Sequence, residues 1–336
     1  MAFSPDVIVI GAGVLGLCTA AELGARGHSV TVLDPGGANA SSVAAGMIAP
    51  ALESLLEDVG PERAALLKRA RDLWPDFAEA FGLRLYREGA EWRGEDADEA
   101  IRRLRALGFA ATASAGGLTT SDDWRVEVGP ALAALRRASG VSIIRGRAAA
   151  VSGEGRRWRV AAEDGRVWFA PALVLATGAE PAIAGLPSPV AALVDAITPI
   201  RGQLTPVTGV SLPRVVRAEG VYAAPAETGV VIGATMEPGR RDLTPDAAEA
   251  EAQARVGLAL LGASASVGPT RVGVRGATSD GLPLAGPSGE PGLHLALAPR
   301  RNGWLLGPLV ARVVADGVEG QPPAAEAAAL DPLRFV

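Results

Sequence analysis

Three glycines and one aspartate near the amino terminus have the types and spacing of a dinucleotide-phosphate site. Gly11, Gly13 and Gly16 form a G-x-G-x-x-G sequence, and Asp34 follows 23 positions after Gly11. In this pattern the first glycine permits a tight turn, the second lets the backbone approach a pyrophosphate, and the third lets a helix pack on a strand. The helix N-terminus offers free N–H groups to the phosphates, and Asp34 would accept hydrogen bonds from the adenosine ribose. We therefore expect dinucleotide contacts from these residues and from Ala12, Val14 and Leu15.

The apolar pattern predicts the elements that must position these residues. Residues 6–10 are a β-branched run without alternation, which is typical of a buried parallel strand. Residues 17–23 suit a helix, and residues 29–33 form a second β-branched run that ends at Asp34. Strand, glycine turn, helix, strand and acid follow in the order of a Rossmann-like unit.

The segment after Asp34 bears on which dinucleotide is bound. Ser41 and Ser42 close a polar, turn-rich stretch, and their hydroxyls would serve a second side of the pyrophosphate. The small residues Ala45 and Gly46, followed by Met47, would let backbone run against a flat ring. These residues favour a flavin dinucleotide, and a nicotinamide dinucleotide remains an alternative.

Composition excludes several other kinds of site. The chain has 336 residues, enough for about two domains. Its lone cysteine, Cys18, excludes a disulfide framework, and His28 and His294 are too far apart in sequence to suggest a zinc cluster or a Cys–His pair. We expect His294, in a predicted strand, to be structural. The net charge of −5 argues against a nucleic-acid partner.

We expect no membrane span and a cytoplasmic location. The apolar residues 7–21 have no basic segment before them, and Glu22 ends the run too early to cross a bilayer. Later apolar stretches are interrupted by glycine and proline.

Ordered motifs along nearly the whole chain resemble one family. They are GAGVLG at 11–16, SSVAAGMIAP at 41–50, ALVLATGAE at 172–180, ITPIRGQL at 197–204, VYAAP at 221–225, GATMEPG at 233–239, VGVRGATSDGLPLAGP at 272–287 and RRNGWLLGPLVARVVAD at 300–316. Together they resemble the D-amino-acid oxidase (DAO) superfamily of FAD-dependent flavoproteins, and within it the glycine oxidases of bacterial thiamine biosynthesis.

The resemblance implies the fold class and its division into domains. It implies an α/β (α+β) fold, in which a Rossmann-like FAD-binding domain carries an inserted antiparallel-sheet substrate domain. The expected FAD-binding domain comprises residues 1–50, 126–195 and 276–336. The expected substrate domain comprises residues 51–125 and 196–275.

The resemblance also implies oxidation of an amine carbon next to a carboxylate, by hydride transfer to flavin N5. The imine then hydrolyses to a 2-oxo acid and ammonia, and oxygen is reduced to hydrogen peroxide. Arg275 would bind the substrate carboxylate, because its guanidinium can form two parallel hydrogen bonds. The hydroxyl of Tyr222 would assist there, Arg301 would lie beside the amine, and Met236 would form an apolar wall.

Further FAD contacts are implied by the same motifs. Besides the glycine turn and Asp34 they are Ser41, Ser42, Ala45, Gly46, Met47, Ala148, Thr177, Gly178, Arg301, Asn302, Gly303, Trp304 and Leu305. We expect non-covalent FAD, because no cysteine or histidine is well placed for a flavin link. The expected partners are a small amino acid (glycine, or a D- or N-methyl amino acid) and oxygen, and the chain is a possible homo-oligomer.

Departures from the family pattern leave the substrate open. Pro299 and Arg300 stand where many relatives carry histidine and an aromatic residue, Gly220 replaces a polar ring, and Trp304 replaces an aliphatic residue. Two other functions also stay open at this point. One is a dehydrogenase that passes electrons to a quinone or carrier, and the other is a non-catalytic flavin-binding subunit. The presence of both Arg275 and Tyr222 favours an enzyme.

Overall fold

The computed structural model describes residues 4–336. Within them the helices are α1 (Val14–Ala25), α2 (Ala40–Val43), α3 (Pro50–Leu56), α4 (Pro61–Asp72), α5 (Trp74–Ala80), α6 (Ala97–Ala106), α7 (Val128–Leu135), α8 (Ser188–Asp195), α9 (Ala247–Leu261), α10 (Gly303–Val318) and α11 (Ala327–Leu330), with a 3₁₀ helix at Pro332–Phe335. None of these helices combines the length and the apolar character that a membrane crossing requires.

The strands are numbered in the same way. They are β1 (Val7–Ile10), β2 (Val30–Asp34), β3 (Met47–Ile48), β4 (Leu85–Tyr86), β5 (Ala90–Trp92), β6 (Thr112–Ser114), β7 (Gly117–Thr120), β8 (Trp124–Val126), β9 (Val141–Arg145), β10 (Ala148–Glu154), β11 (Arg157–Ala162), β12 (Val167–Ala170), β13 (Ala172–Leu175), β14 (Thr198–Thr208), β15 (Val215–Ala218), β16 (Val221–Ala226), β17 (Gly229–Gly233), β18 (Glu237–Pro238), β19 (Ser266–Val267), β20 (Arg271–Ala277), β21 (Leu284–Pro287) and β22 (Leu293–Leu297).

The glycine motif lies in a six-stranded sheet of order β21-β22-β13-β1-β2-β9. Its strands are parallel except for the antiparallel pair β21–β22. β1 is buried along its whole length, because Ile8 and Ile10 pack into a cluster with Val151 and Val160 of the antiparallel sheet β10-β11-β12. Burial on both faces explains the absence of alternation. The predicted α/β fold with a Rossmann-like unit is confirmed.

Contacts divide the chain into two compact units. The first comprises Met1–Ser42, Leu132–Ile200 and Val274–Val336, and the second comprises Val43–Ala131 and Arg201–Gly273. The expected domain borders lay at residues 50, 125, 195 and 275. The border at residue 43 has a physical reason: β3 pairs with β8, so residues 47–48 are held by a strand of the second unit.

The second unit has a mainly antiparallel sheet of order β18-β14-β17-β16-β15-β5-β7-β6, to which β19 and β20 add beside β14. Within this order β15 and β5 pair in parallel. A smaller sheet of order β3-β8-β4 belongs to the same unit. A hydrophobic cluster that includes Leu52, Trp92, Leu104 and Leu118 joins α3, α6, β5 and β7.

Candidate active site

The turn between β1 and α1 is built on two glycines that no other residue could replace without displacing backbone. Gly11 has φ +109°, and a Cβ there would overlap the carbonyl oxygen of Ala176 at the end of β13. A Cβ at Gly16 would overlap the carbonyl oxygen of Gly11 and lie 3.0 Å from the Cβ of Ala176. The two residues therefore let the turn close and α1 pack against the strand ends.

Gly13 is different, because the protein itself has room for a side chain there. Its backbone is extended (φ −73°, ψ 177°), and a Cβ would meet only the hydroxyl oxygen of Ser41, at 3.3 Å. Gly13 is the N-cap of α1 and supplies no side-chain cap, while the N–H of Val14 donates to Ser41 Oγ at 2.9 Å. The missing side chain thus keeps the approach to the first turn of α1 open.

Asp34 ties the glycine turn to the end of β2. Its Oδ2 accepts from the N–H of Ala12 at 2.7 Å, and its Oδ1 accepts from the N–H of Gly36 at 2.7 Å. A carboxylate has about four acceptor positions, so two lone pairs are left for ribose hydroxyls. The backbone bonds to Ala12 and Gly36 were not anticipated from the sequence.

The N-terminus of α10 lies beside that of α1. Asn302, its N-cap, makes no side-chain cap bond, and a Cβ at Gly303 would lie 3.1 Å from Val14 Cγ1. The indole N–H of Trp304 donates to the carbonyl of Ser41 at 3.2 Å. Two helix N-termini without side-chain caps therefore meet at Ser41. Each carries partial positive charge, so this part of the first unit fits the pyrophosphate of a dinucleotide.

The turn that leads into α10 is held by the end of β20. The N–H of Arg300 donates to the carbonyl of Gly276 at 2.8 Å, and Ala277 forms a bridge with Pro299. Ala298 and Arg300 both have left-handed backbones, with φ of +57° and +51°. Such conformations cost about 1–3 kcal/mol each and occur often at active sites.

Gly276 explains how this turn also meets the end of β13. A Cβ there would come within 3.0 Å of the carbonyl oxygen of Gly178 and 2.9 Å of Ile197 Cγ2. The main chain next to Arg275 therefore packs against the predicted contact Gly178. Gly276 was missed from the sequence, although a glycine directly after the expected substrate arginine was a signal for close packing.

The other predicted residues lie in the second unit. Tyr222 on β16 stands opposite Gly233 on β17, where a Cβ would lie 2.8 Å from the tyrosine hydroxyl. Ala45, Met47 and Tyr222 pack against the same hydrophobic cluster, the one that contains Leu52.

The structure thus gathers the predicted site residues into two sets, one in each unit. The first unit brings together the glycine turn, Asp34, Ser41, Gly178 and residues 301–304, and it also holds Ser42, Ala148 on β10, Thr177, Arg275 and Leu305. The second holds Ala45, Gly46, Met47, Tyr222 and Met236, whose side chain is exposed.

The cysteine is buried within α1, and both histidines line a cavity away from the glycine turn. Cys18 is fully buried in α1, and burial raises the pKa of its thiol. His28 and His294 line a cavity of about 700 Å³ with Val7 and Ala172, the first residues of β1 and β13. This is the amino edge of the parallel strands, whereas such sheets bind ligands at the carboxyl ends. Burial lowers the pKa of His294 to about 4, which suits the structural role expected for it.

Comparison with known proteins decides the family. Residues 6–317 match the family described as DAO, FAD dependent oxidoreductase. The chain belongs to the DAO family. Its members are FAD-dependent, which agrees with the paired helix N-termini and the glycine turn of the first unit.

Several relatives of this DAO-family chain are similar over nearly all of it. It is 30% identical to a glycine oxidase of Pseudomonas aeruginosa, over 95% of this chain and 96% of that one. It is 31% identical to the tRNA 5-methylaminomethyl-2-thiouridine biosynthesis bifunctional protein MnmC of Ralstonia nicotianae; 98% of this chain matches but spans only 60% of that protein. Its fold resembles the crystal structure of glycine oxidase from Geobacillus kaustophilus, with a TM-score of 0.84, 26% identity and 99% of each chain covered.

Proposed function

We propose that this chain oxidises glycine or another small amino acid, D- or N-methyl, and transfers the electrons to oxygen. The substrate would lose two electrons and become an imine, which water hydrolyses to a 2-oxo acid and ammonia, or to a 2-oxo acid and methylamine when the substrate is N-methylated. Oxygen would take up the two electrons and two protons and leave as hydrogen peroxide. The glycine oxidase relatives, similar over almost their full length, support this assignment.

One feature of the first unit carries the proposal: the bond between Arg300 N–H and the carbonyl of Gly276. It joins the strand end that bears Arg275 to the turn that bears Arg301, directly before the N-terminus of α10. Two arginines are thereby placed on adjoining backbone at the part of the unit that fits the dinucleotide. An anionic substrate group is what such an arrangement recognises.

Bound FAD supplies the electron acceptor, and the chain's own residues bind and orient the amino acid. We assign the substrate carboxylate to Arg275, with the Tyr222 hydroxyl as a second donor. Arg301 lies next along the turn and is assigned to the amine end. Met236 is assigned to an apolar wall, and Ala45, Gly46 and Met47 are assigned to flavin contact. No histidine is assigned to proton transfer, so the substrate must arrive with its amine neutral, and the pH dependence of turnover should follow that amine.

Substitution of Arg275 tests the assignment. Removing a desolvated partner of a carboxylate costs about 2–5 kcal/mol, so Arg275→Ala should lower kcat/KM by roughly 30-fold to several thousand-fold. Arg275→Lys should restore part of this, because a point charge cannot reproduce the two-bond fork. Arg271→Ala is the matched control, since Arg271 is an exposed arginine on the same strand. If Arg275→Ala keeps nearly the wild-type kcat/KM, another residue binds the substrate carboxylate.

Anaerobic mixing with glycine, sarcosine, D-alanine or D-proline, followed by air, tests the reaction type. Bleaching of the flavin followed by rapid recolouring and release of peroxide supports an oxidase. Bleaching that air does not reverse indicates a dehydrogenase. If no amine bleaches the flavin, the chain is a non-catalytic flavin-binding subunit.

The similarity to the MnmC protein supports a second candidate, an oxidase for an amine carried on a tRNA uridine. That relative is as similar as the glycine oxidases and matches 98% of this chain. The net charge of −5 favours the free amino acid, because unaided tRNA binding needs a basic surface. Peroxide release from undermodified tRNA, and none from any free amino acid, would decide for the second candidate.

A further inference from the structure

A buried carboxylate caps α3, the helix that begins at Pro50. Asp123 is 2% exposed; its Oδ1 accepts from the N–H of Ala51 at 2.8 Å and its Oδ2 from the N–H of Leu52 at 3.1 Å. These N–H groups belong to the first turn of α3, whose N-cap Ala49 has no side-chain cap bond. Pro50, the first helical residue, has no N–H, so one carboxylate satisfies two of the three N–H groups that the start of α3 leaves free.

The residues directly after Asp123 hold the strand before α3. β8 begins at Trp124 and pairs with β3, with Arg125 opposite Met47. The N–H of Val126 donates to the carbonyl of Gly46 at 3.0 Å. Residues 123–126 thus bind residues 46–52 in two ways. β8 pairs with β3, and the carboxylate of Asp123 bonds the start of α3.

Asp123 sits on a stretch of chain that is fixed independently. The carboxylate of its neighbour Asp122 accepts from Arg71 Nη1 at 2.7 Å and from the N–H of Ala110 at 2.6 Å. The guanidinium of Arg71 stacks 4.6 Å from the ring centre of Trp124. Both neighbours of Asp123 are therefore held by contacts with residues outside α3.

The charges around Asp123 are compensated only while α3 stays in place. Glu53, also on α3, forms an ion pair with Arg217 of β15 at 2.8 Å, and both are buried. Burial raises the pKa of Asp123 to about 7; the two N–H groups and Arg217 oppose this, and the charge of Glu53 adds to it. Displacing α3 would strip partners from buried charges, which is strongly unfavourable.

The helix in turn supports residues assigned to the site. Ala51 and Leu52 belong to the hydrophobic cluster against which Ala45, Met47 and Tyr222 pack. The cap on α3 and the strand pairing of β3 therefore both stabilise the hydrophobic cluster on which Ala45, Met47 and Tyr222 pack.

We propose that Asp123 is a positioning residue for bound FAD, which acts through α3 and β3 to fix residues 45–47. The inference rests on the proposed assignment of residues 45–47 to flavin contact. In this role Asp123 does not contact FAD itself. It supports the residues that do.

The variants Asp123→Ala and Asp123→Asn test the inference in the full-length, FAD-loaded protein. Asp123→Ala leaves two buried N–H groups without their acceptor, so FAD affinity should fall by about tenfold or more, and the visible spectrum of the bound flavin should shift. Asp123→Asn keeps one acceptor oxygen and should lie between wild type and Asp123→Ala. The control is Asp246→Ala, which removes an exposed carboxylate that also accepts from two N–H groups, at the start of α9 in the same unit. It should keep the wild-type FAD affinity and spectrum.

Hydrogen exchange of the wild-type protein gives an answer that does not depend on the variants folding. Coupling between two sites is reciprocal, so FAD binding should slow exchange in residues 49–56 and leave residues 247–261 unchanged. A folded Asp123→Ala protein with wild-type FAD affinity and spectrum overturns the inference. So does FAD binding that leaves exchange in residues 49–56 unaltered. A wild-type chain that binds no FAD overturns the proposed function, and the inference falls with it.

Discussion

Gly13→Ala should separate cofactor binding from folding. The extended backbone of Gly13 suits alanine, and the added methyl group would meet only Ser41 Oγ, at 3.3 Å. The same methyl group would stand at the first turn of α1, where the pyrophosphate must approach. The variant should therefore fold and bind FAD poorly.

The contacts at Gly13 set the size of the folding effect, and the hydrogen bonds expected to the phosphate set the size of the binding effect. Alanine restricts the unfolded chain and gains about 0.4–1 kcal/mol at a compatible site. Displacing Ser41 from its bond to Val14 loses about 1 kcal/mol. Folding stability should therefore stay within about 1–2 kcal/mol of wild type. Two lost hydrogen bonds to a charged phosphate, at about 1.5–3 kcal/mol each, should weaken FAD binding at least 100-fold.

Gly60→Ala is the matched control. Gly60 is the N-cap of α4 with φ −75° and ψ 171°, nearly the backbone angles of Gly13, and a Cβ there would meet no atom within 4 Å. It shares the backbone effect of the substitution but lies in the other unit, outside the glycine motif. Gly16→Ala should show the opposite behaviour and destabilise the fold, because the added Cβ would overlap the carbonyl oxygen of Gly11.

Urea unfolding of the apoproteins and fluorescence titration with FAD measure the two effects. We expect wild type, Gly13→Ala and Gly60→Ala to unfold at similar urea concentrations, with only Gly13→Ala losing FAD affinity. FAD affinity of Gly13→Ala within threefold of wild type would refute placement of the pyrophosphate at this turn. Loss of folding in Gly13→Ala alone would refute the distinction drawn between Gly13 and Gly16.

Three further outcomes are expected. FAD should be released into the supernatant on acid precipitation, since the buried Cys18 and the histidines at the opposite sheet edge are not placed for a covalent link; yellow flavin in the pellet would contradict this. Arg201→Ala should cost about 3–5 kcal/mol in urea unfolding, because the fully buried Arg201 pairs with the carboxylates of Glu237 and Asp242 and bonds the carbonyls of Asp242 and Thr244. Arg240→Ala, at an exposed arginine that pairs with the same two carboxylates, should change stability far less. Burial lowers the pKa of His294 in the folded protein from 6.5 to about 4, so between these pH values the unfolded chain binds one more proton than the folded protein. As pH falls through this window, the free energy of unfolding of wild type should fall by up to about 3 kcal/mol relative to that of His294→Gln. A difference between the two proteins that does not change with pH would contradict this.

The parallel sheet could be predicted because its signals are local. The β-branched runs at residues 6–10 and 29–33 correspond to β1 and β2, and the strand predicted around His294 corresponds to β22. A strand buried on both faces needs no alternation, and a glycine turn needs particular residues at fixed offsets. Both requirements can be recognised within a window of about twenty residues.

The unit borders and the supports of the site could not be predicted in this way. The border after Ser42 depends on the pairing of Met47 with Arg125, which is distant in the sequence. Likewise, the main chain beside Arg275 is placed by a hydrogen bond from Arg300 to Gly276. The family motifs indicated which arginines to consider, but only the fold shows that their backbones adjoin.

Asp122 and Asp123 show why a positioning residue escapes a search for motifs. The two are identical and adjacent, and their sequence surroundings suggest only a polar turn. Asp122 accepts from Arg71 and Ala110, whereas Asp123 is buried and caps α3. Their different environments arise from partners that are distant along the chain, so no local pattern separates them. A carboxylate without helix donors or Arg217 nearby would be unstable at that depth, so the fold that makes Asp123 useful is also what makes its burial possible.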